Sequence, residues 1–208
     1  MNTESEAPKF FVKEDLKLMH FADAHLKHRP DPFNFENEHP DKAQELSKVL
    51  YEKMLELGGV GLSANQLGLN YRVFVFGNAD THTVMFNPTI VAVSKETLTM
   101  EEGCLSFPGF FLTLKRPHDI VVSWQNAIGD IETGQFTGIA ARIILHEYDH
   151  MEGVTFVDHA STFKLRWTFN KWKKSQIKKL RKTIINNQRQ MQIQKAEAKK
   201  LEALNGRK

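Results

Sequence analysis

The sequence predicts an α+β fold, and three observations carry that prediction. Residues 71 to 137 are a succession of β-branched and aromatic runs bounded by turn residues, helical patterns precede and follow them, and residues 163 to 208 read as one long basic helix. A length of 208 residues suits one domain of roughly 150 residues with an appendage. The expected division is a body at 1–162, large enough to bury a core, and an extension at 163–208.

Residues 1–9 are polar and read as loose, and 10–28 carry a mixed apolar pattern that predicts partial helix. His28-Arg29-Pro30-Asp31-Pro32 breaks it. A helix is predicted over 42–57, with Asp41 as N-cap and Gln44 at the capping-box position. Leu46, Val49, Leu50, Met54 and Leu57 fall on one face, and Gly58-Gly59 ends the helix. Strands are predicted at 71–76, 83–86, 89–93, 110–114 and 119–124, then across a Gly129-Asp130 turn at 131–136. Gly138 opens a helix over 139–151, Gly153 stops it, and Val154 to Val157 reads as a last short strand. Residues 163 to 204 lack Pro and Gly. Ile177, Leu180, Ile184, Met191, Ala198 and Leu201 lie near heptad spacing there, interrupted by Asn187 and Gln194.

Composition narrows the class. No apolar run approaches the roughly 18 residues that span a bilayer, and the start is polar and acidic, unlike a signal peptide. The expectation is a soluble cytoplasmic protein with no membrane partner. The single cysteine, Cys104, cannot staple the fold internally. Charge is segregated: residues 163–208 hold 15 of the 28 Lys and Arg but 2 of the 25 Asp and Glu, a net +13, against −10 for residues 1–162. Such an extension points to a polyanionic partner, or to a highly charged solvated helix.

Three clusters carry chemistry. In His146-Glu147-Tyr148-Asp149-His150 the two imidazoles lie at i and i+4 on one helix face, able to grip one metal ion, with Glu147 beside them in reach of an activated water. Glu102-Gly103-Cys104-Leu105-Ser106 can aim a sulfur and a neighbouring backbone N–H into a cleft. Two His and one Cys leave a tetrahedral ion one open position, the layout of a hydrolytic site. Gly59-Val60-Gly61-Leu62-Ser63-Ala64-Asn65-Gln66 lacks the Gly-Lys-Ser/Thr ending of a phosphate loop; its glycines allow a ligand to approach the backbone, and Gln66 offers an amide donor. A zinc peptidase would leave Cys104 unexplained and lacks the extended His motif. A structural zinc site in a nucleic-acid-binding protein would want a fourth ligand.

In this order, Gly-x-Gly-Leu-x-Ala-x-Gln, Glu-Gly-Cys-Leu-Ser and His-Glu-x-Asp-His resemble the three motifs of peptide deformylases over roughly residues 20 to 160. The resemblance implies mainly antiparallel sheets around a central metal-binding helix, and removal of the formyl group from the N-terminal methionine of nascent peptides by a chain acting as a monomer. It implies Cys104, His146 and His150 as ligands of one divalent ion, Fe²⁺ first, with Ni²⁺, Co²⁺ or Zn²⁺ as substitutes. Glu147 would move the proton, and Gln66 and the Leu105 N–H would hold the oxyanion. Val60, Gly61, Met100, Gly103, Ile139, Arg142 and Ile143 would receive the peptide and the methionine side chain. Arg142 stands where the resemblance implies an apolar residue; its reading is a stem that packs while the head reaches water, or else a modified pocket rim. Phe111 stands where some relatives carry Arg, and Ser63 where Ala is commoner. Glu102 and Arg116 are expected to pair and brace the Cys104 segment. Relatives that end in a basic helix bind the ribosome with it. Here Lys171, Lys173, Lys174, Lys178, Lys179, Arg181 and Lys182, flanked by Trp167 and Trp172, are the candidate contact to ribosomal RNA.

Overall fold

In a computed structural model of the chain, residues 9–205 are described, with side chains as far as residue 195. The reading of the N-terminus therefore falls outside them except at Lys9, as do the side chains of seam positions Ala198 and Leu201. The backbone separates into two compact units between Ser161 and Thr162.

The first helix, α1 (Pro40–Glu56), starts earlier than the sequence suggests. His39 is its N-cap, with the ring accepting from the Asp41 N–H, and Pro40 takes the first helical position. Proline suits that place because its fixed φ matches the helix and its missing N–H would be unpaired anyway. Asp41 falls in the first turn, where its charge complements the helix dipole. Gly58, at φ 68°, ends the helix in the left-handed region that glycine occupies without strain. The region before α1 holds one short 3₁₀ turn, Ala24–Lys27, in place of the partial helix expected.

All strand pairing among the described residues is antiparallel. Five strands form one sheet in the order β1 (Gly61–Ser63), β2 (Val73–Gly77), β3 (His82–Val93), β6 (Asp119–Gln125), β7 (Ile131–Thr137). The chain leaves this sheet after β3, forms a separate hairpin of β4 (Thr97–Gly103) and β5 (Phe111–Pro117), and returns as β6. The two short strands expected at 83–86 and 89–93 are one strand. A register shift at Asn87-Pro88 interrupts its ladder, and Asn87 sits at φ 49° with its side chain bonded to Phe33 and Gln125.

β2 explains how the layers hold together. Successive side chains point to opposite faces of a sheet. Val73 and Val75 enter a core with Leu46, Leu50 and Met54 of α1. Phe74 enters a second core with Ala141, Ile144 and Met151 of α2 (Gly138–Met151). Both faces of β2 are buried, which is why its sequence reads as a continuous apolar run. α2 packs on strands of both sheets. After α2, residues 154–157 do not make the strand expected. Phe156–His159 is a 3₁₀ turn, closed by Asp158, whose carboxylate accepts from the Thr155 N–H and hydroxyl. In the second unit, α3 (Thr162–Asn205) is a single helix. No described helix is long and apolar enough to cross a membrane.

Leu50 is fully buried in the α1 core. Leu50→Ala is expected to cost about 2–5 kcal/mol of stability through the cavity it leaves, read as a lower urea midpoint at unchanged slope.

Candidate active site

Two elements converge on one point. α2 presents His146 and His150 on one face. Cys104 is the first residue of the loop that joins β4 to β5. Their ligand atoms all lie within 4.8 Å of one another, with Cys104 Sγ 3.5 Å from His150 Nε2. One thiol and two imidazoles suit a divalent transition metal in a tetrahedral site with an open position, so the residues present fit such an ion. Burial, then the charges at His146, Lys27 and Arg116, hold His150 well below its ordinary pKa, in the neutral form a ligand needs. Burial would lower His146 too, but hydrogen bonds with Cys104 and Glu102 and the charge of Glu147 hold it up, to about 10. An anionic surrounding that favours a proton there favours a divalent cation as well, whose binding would release that proton.

Glu102 orients this group. Its carboxylate accepts both Nε and Nη2 of Arg116 at 2.8 Å and Nη1 of Arg142 at 2.6 Å, and lies 3.4 Å from His146 Nδ1. Arg116 also donates to Asp149, 2.7 Å away, which pairs with His159. Arg142 therefore departs from the first reading of the sequence, a head that reaches water. Its guanidinium does not reach water: it is buried, and donates to Glu102 and to the carbonyls of Leu114 and Leu98. The carboxylate of Glu102 on the neighbouring strand makes a buried cation tolerable at a position where an apolar residue is otherwise expected.

Glu147, on the same helix, has the opposite environment. It is buried, and its Oε2 has no hydrogen-bond partner among the described residues, nor has His150 Nδ1. Burial pushes Glu147 up to about 7, against the charge at His146. The Ser63 hydroxyl also faces this carboxylate and lowers its pKa by a hydrogen bond, while lying 2.9 and 3.0 Å from Asn65 Oδ1 and Gln66 Oε1. β1 runs past this carboxylate at Gly61. A Cβ there would fall on Glu147 Oε1 and against Ile143, so a larger residue would have to displace the Glu147 carboxylate.

Gln66 follows β1 on a 3₁₀ turn, Ala64–Leu67. Its Oε1 accepts from the Ser63 N–H at 3.1 Å, and its Nε2 reaches Cys104 Sγ at 3.3 Å and Ser106 Oγ at 3.1 Å. Asn65 of the same turn donates to the His150 carbonyl at 2.8 Å, tying the turn to α2.

These groups line one cavity of about 690 Å³. Its wall contains Gln66, Cys104, Leu105, His146 and Glu147, and every residue the sequence assigned to the peptide: Val60, Gly61, Met100, Gly103, Ile139, Arg142 and Ile143. His150 is fully buried behind Cys104 and is not part of that wall. Phe111 joins it as well, its half-exposed ring lying across Gly103, its β4 partner. The sequence reading assigned no role to Ser63, Asn65 or Ser106. Ser63-Ala-Asn-Gln66 has the spacing of a capping box, which could have flagged the first. The seven basic residues of α3 do not belong to this cavity; all are exposed on their own helix, with Lys171 over the Trp167 ring at 5.4 Å.

A profile of the family described as Polypeptide deformylase matches residues 16–166. A peptide deformylase of Thermotoga maritima is 37% identical over 144 residues, 69% of this chain and 86% of that protein. The chloroplastic Peptide deformylase 1B of Oryza sativa subsp. japonica is 33% identical over 151 residues, 70% of this chain, which spans 55% of that protein's length. The crystal structure of the Thermotoga maritima enzyme aligns with a TM-score of 0.65 at 34% identity, covering 70% of this chain and 97% of that one. A Met-Ala-Ser-bound class I type b peptide deformylase from Acinetobacter baumannii aligns with a TM-score of 0.66 at 29% identity, covering 70% of this chain and 98% of that one.

The Glu102 cluster predicts an acid limit to stability. Burial alone would raise its pKa, but hydrogen bonds from Arg116 and His146 outweigh it and hold the group at about 2 against an ordinary 4.5. Its contribution is therefore complete above the ordinary value and is lost as pH falls through about 4.5 toward 2. Glu102→Gln is expected to cost about 3–5 kcal/mol at pH 7 and to show a shallower decline in acid. Urea titrations at pH 7, 4 and 3 on both proteins check this.

Proposed function

The chain belongs to the polypeptide deformylase family and is a metal-dependent hydrolase acting on N-formylmethionyl peptides; from that premise we propose how its own residues release formate. The observation that carries the reading is the meeting of three metal-ligating atoms, those of Cys104 and His146 on the wall of one cavity and that of His150 behind it, with an aimed amide donor and a carboxylate oxygen that has no partner among the described residues. Cys104, His146 and His150 would hold one divalent ion, Fe²⁺ foremost, with Ni²⁺, Co²⁺ or Zn²⁺ also suited to the donor set. When bound, such an ion supplies Lewis acidity, which makes water a nucleophile near neutral pH.

Glu147 takes the proton from the attacking water and passes it to the leaving amine. A carboxylate poised near 7 can do both, because its two forms are close in free energy at neutral pH. Gln66 Nε2 and the Leu105 N–H donate to the oxyanion as the formyl carbon becomes tetrahedral. β1 is the edge strand of its sheet, so Val60 and Gly61 can pair with an extended peptide backbone. Met100, Ile139 and Ile143, with the stem of Arg142, receive the methionine side chain, and Gly103 lies beside Cys104 on the same wall. The Met-Ala-Ser peptide bound by the Acinetobacter baumannii relative supports a peptide of this kind as occupant. One chain carries every residue named here, which favours action as a monomer.

The basic extension belongs to the same reading. Lys171, Lys173, Lys174, Lys178, Lys179, Arg181 and Lys182 are exposed on one helix, a charge density suited to ribosomal RNA. Docking there would bring the enzyme to emerging chains and place its work in the cytoplasm.

Metal-loaded protein is expected to release formate from a formyl-Met tripeptide, and Glu147→Gln to lower kcat by about 10²–10⁴-fold. A folded, loaded wild type that releases none would overturn the reading. In salt-dependent pelleting, the full chain is expected to follow ribosomes at low salt, and a chain ending at residue 162 to stay in solution. Equal pelleting of the two would exclude the extension as the contact.

A further inference from the structure

Gln66 can stabilise an oxyanion only if its amide nitrogen, not its oxygen, faces the cavity. The two ends of a glutamine amide have nearly the same shape, so the surroundings must choose between them. On the inner side, the Ser63 backbone N–H can only donate, so the atom it meets must be Oε1. The Ser63 hydroxyl reaches the same oxygen at 3.0 Å. On the outer side stand Cys104 Sγ and Ser106 Oγ. Ser63 is fully buried, and so is the amide it holds. The hydroxyl, with one proton to share, also lies 2.9 Å from Asn65 Oδ1 and faces the Glu147 carboxylate, and Asn65 holds the backbone carbonyl of His150. One side chain thus joins the amide to the helix that carries both histidines.

We infer that Ser63 is the positioning residue of this site: its N–H and hydroxyl clamp Gln66 Oε1 and so aim Nε2 at the reacting carbonyl. The inference rests on the oxyanion role proposed for Gln66. The backbone N–H remains when serine is replaced, so the hydroxyl contributes the second of two donors. Its loss leaves a buried carbonyl oxygen half satisfied and the amide freer to turn.

The test is a double-mutant cycle on metal-loaded protein with formyl-Met-Ala-Ser, beside NMR of the Gln66 side-chain amide. Ser63→Ala is expected to lower kcat about five- to tenfold with KM and metal content within twofold of wild type. In a Gln66→Ala background the same change is expected to cost less than twofold, because a clamp has no effect without the group it holds. The Gln66 NH₂ signals are expected to shift and their protons to exchange with water faster in Ser63→Ala. An equal loss of kcat in both backgrounds, an unchanged kcat in the single variant, or unaltered amide signals would each overturn the inference. A wild type that releases no formate would instead remove the catalytic reading, and the amide spectra would still decide whether Ser63 holds Gln66.

Discussion

The site depends on the carboxylate of Glu102 and the cations gathered around it. Glu102 lies on β4, Arg116 on β5, and Arg142 and His146 on α2. Burying these charges is costly, and their shared hydrogen bonds offset the desolvation, with Arg142 Nε alone in the cluster lacking a partner among the described residues. With Arg116 bonded through two nitrogens, the carboxylate fixes the β4–β5 hairpin against α2. Cys104 follows Glu102 by two residues, so the cluster sets the distance between the cysteine and the histidines. The same carboxylate orients the His146 ring by facing its Nδ1, the usual arrangement behind a metal-ligating imidazole. Asp149 and His159 extend the chain of pairs to the turn after α2.

A second constraint is space. β1 passes so close to α2 that a side chain at Gly61 would displace the carboxylate of Glu147. The approach brings the peptide-facing edge of the sheet against the proton-transfer carboxylate. It also brings Gln66, five residues further along the chain, to the cysteine on a turn fixed to α2 by Asn65. Gly103 has a related role: the ring of Phe111 occupies the place of its missing side chain. Aromatic cover of a strand glycine holds the strand end that leads into Cys104.

Much of this was legible in the sequence, and most of the failures share one cause. The helix of His146 and His150 and the α1 core face follow from periodicity, which the fold respects. The three-residue β1 was hidden because its strand character comes from pairing with β2, while its glycine disfavours a strand in isolation. β4 was hidden because Glu101 and Glu102 do not read as a strand; the inward carboxylate is accepted only because Arg116 and Arg142 arrive from elsewhere. Arg142 escaped for the same reason. The apolar run after Gly153 looked like a strand, but the local bonds of Thr155 and Asp158 gave the backbone another choice. The resemblance of three motifs marked the residues of the cavity, and the expected pair of Glu102 with Arg116 is present; the contacts of Glu102 with Arg142 and His146 have no pattern along the chain.

The contrast between the two buried carboxylates shows how those pairs become chemistry. Glu102 and Glu147 both sit against His146, and neither is open to water. Glu102 accepts every hydrogen bond it can use and is held at about 2, a permanent anion with a fixed position. Glu147 keeps one oxygen without a partner among the described residues and is pushed up to about 7. A satisfied carboxylate is inert, and an unsatisfied one is ready to exchange a proton with whatever occupies the cavity. The fold produces this division by directing its arginines to one side of α2 and a glycine to the other. Two identical functional groups thereby receive different work from their surroundings alone, and the structural one must be complete for the reactive one to be held in place.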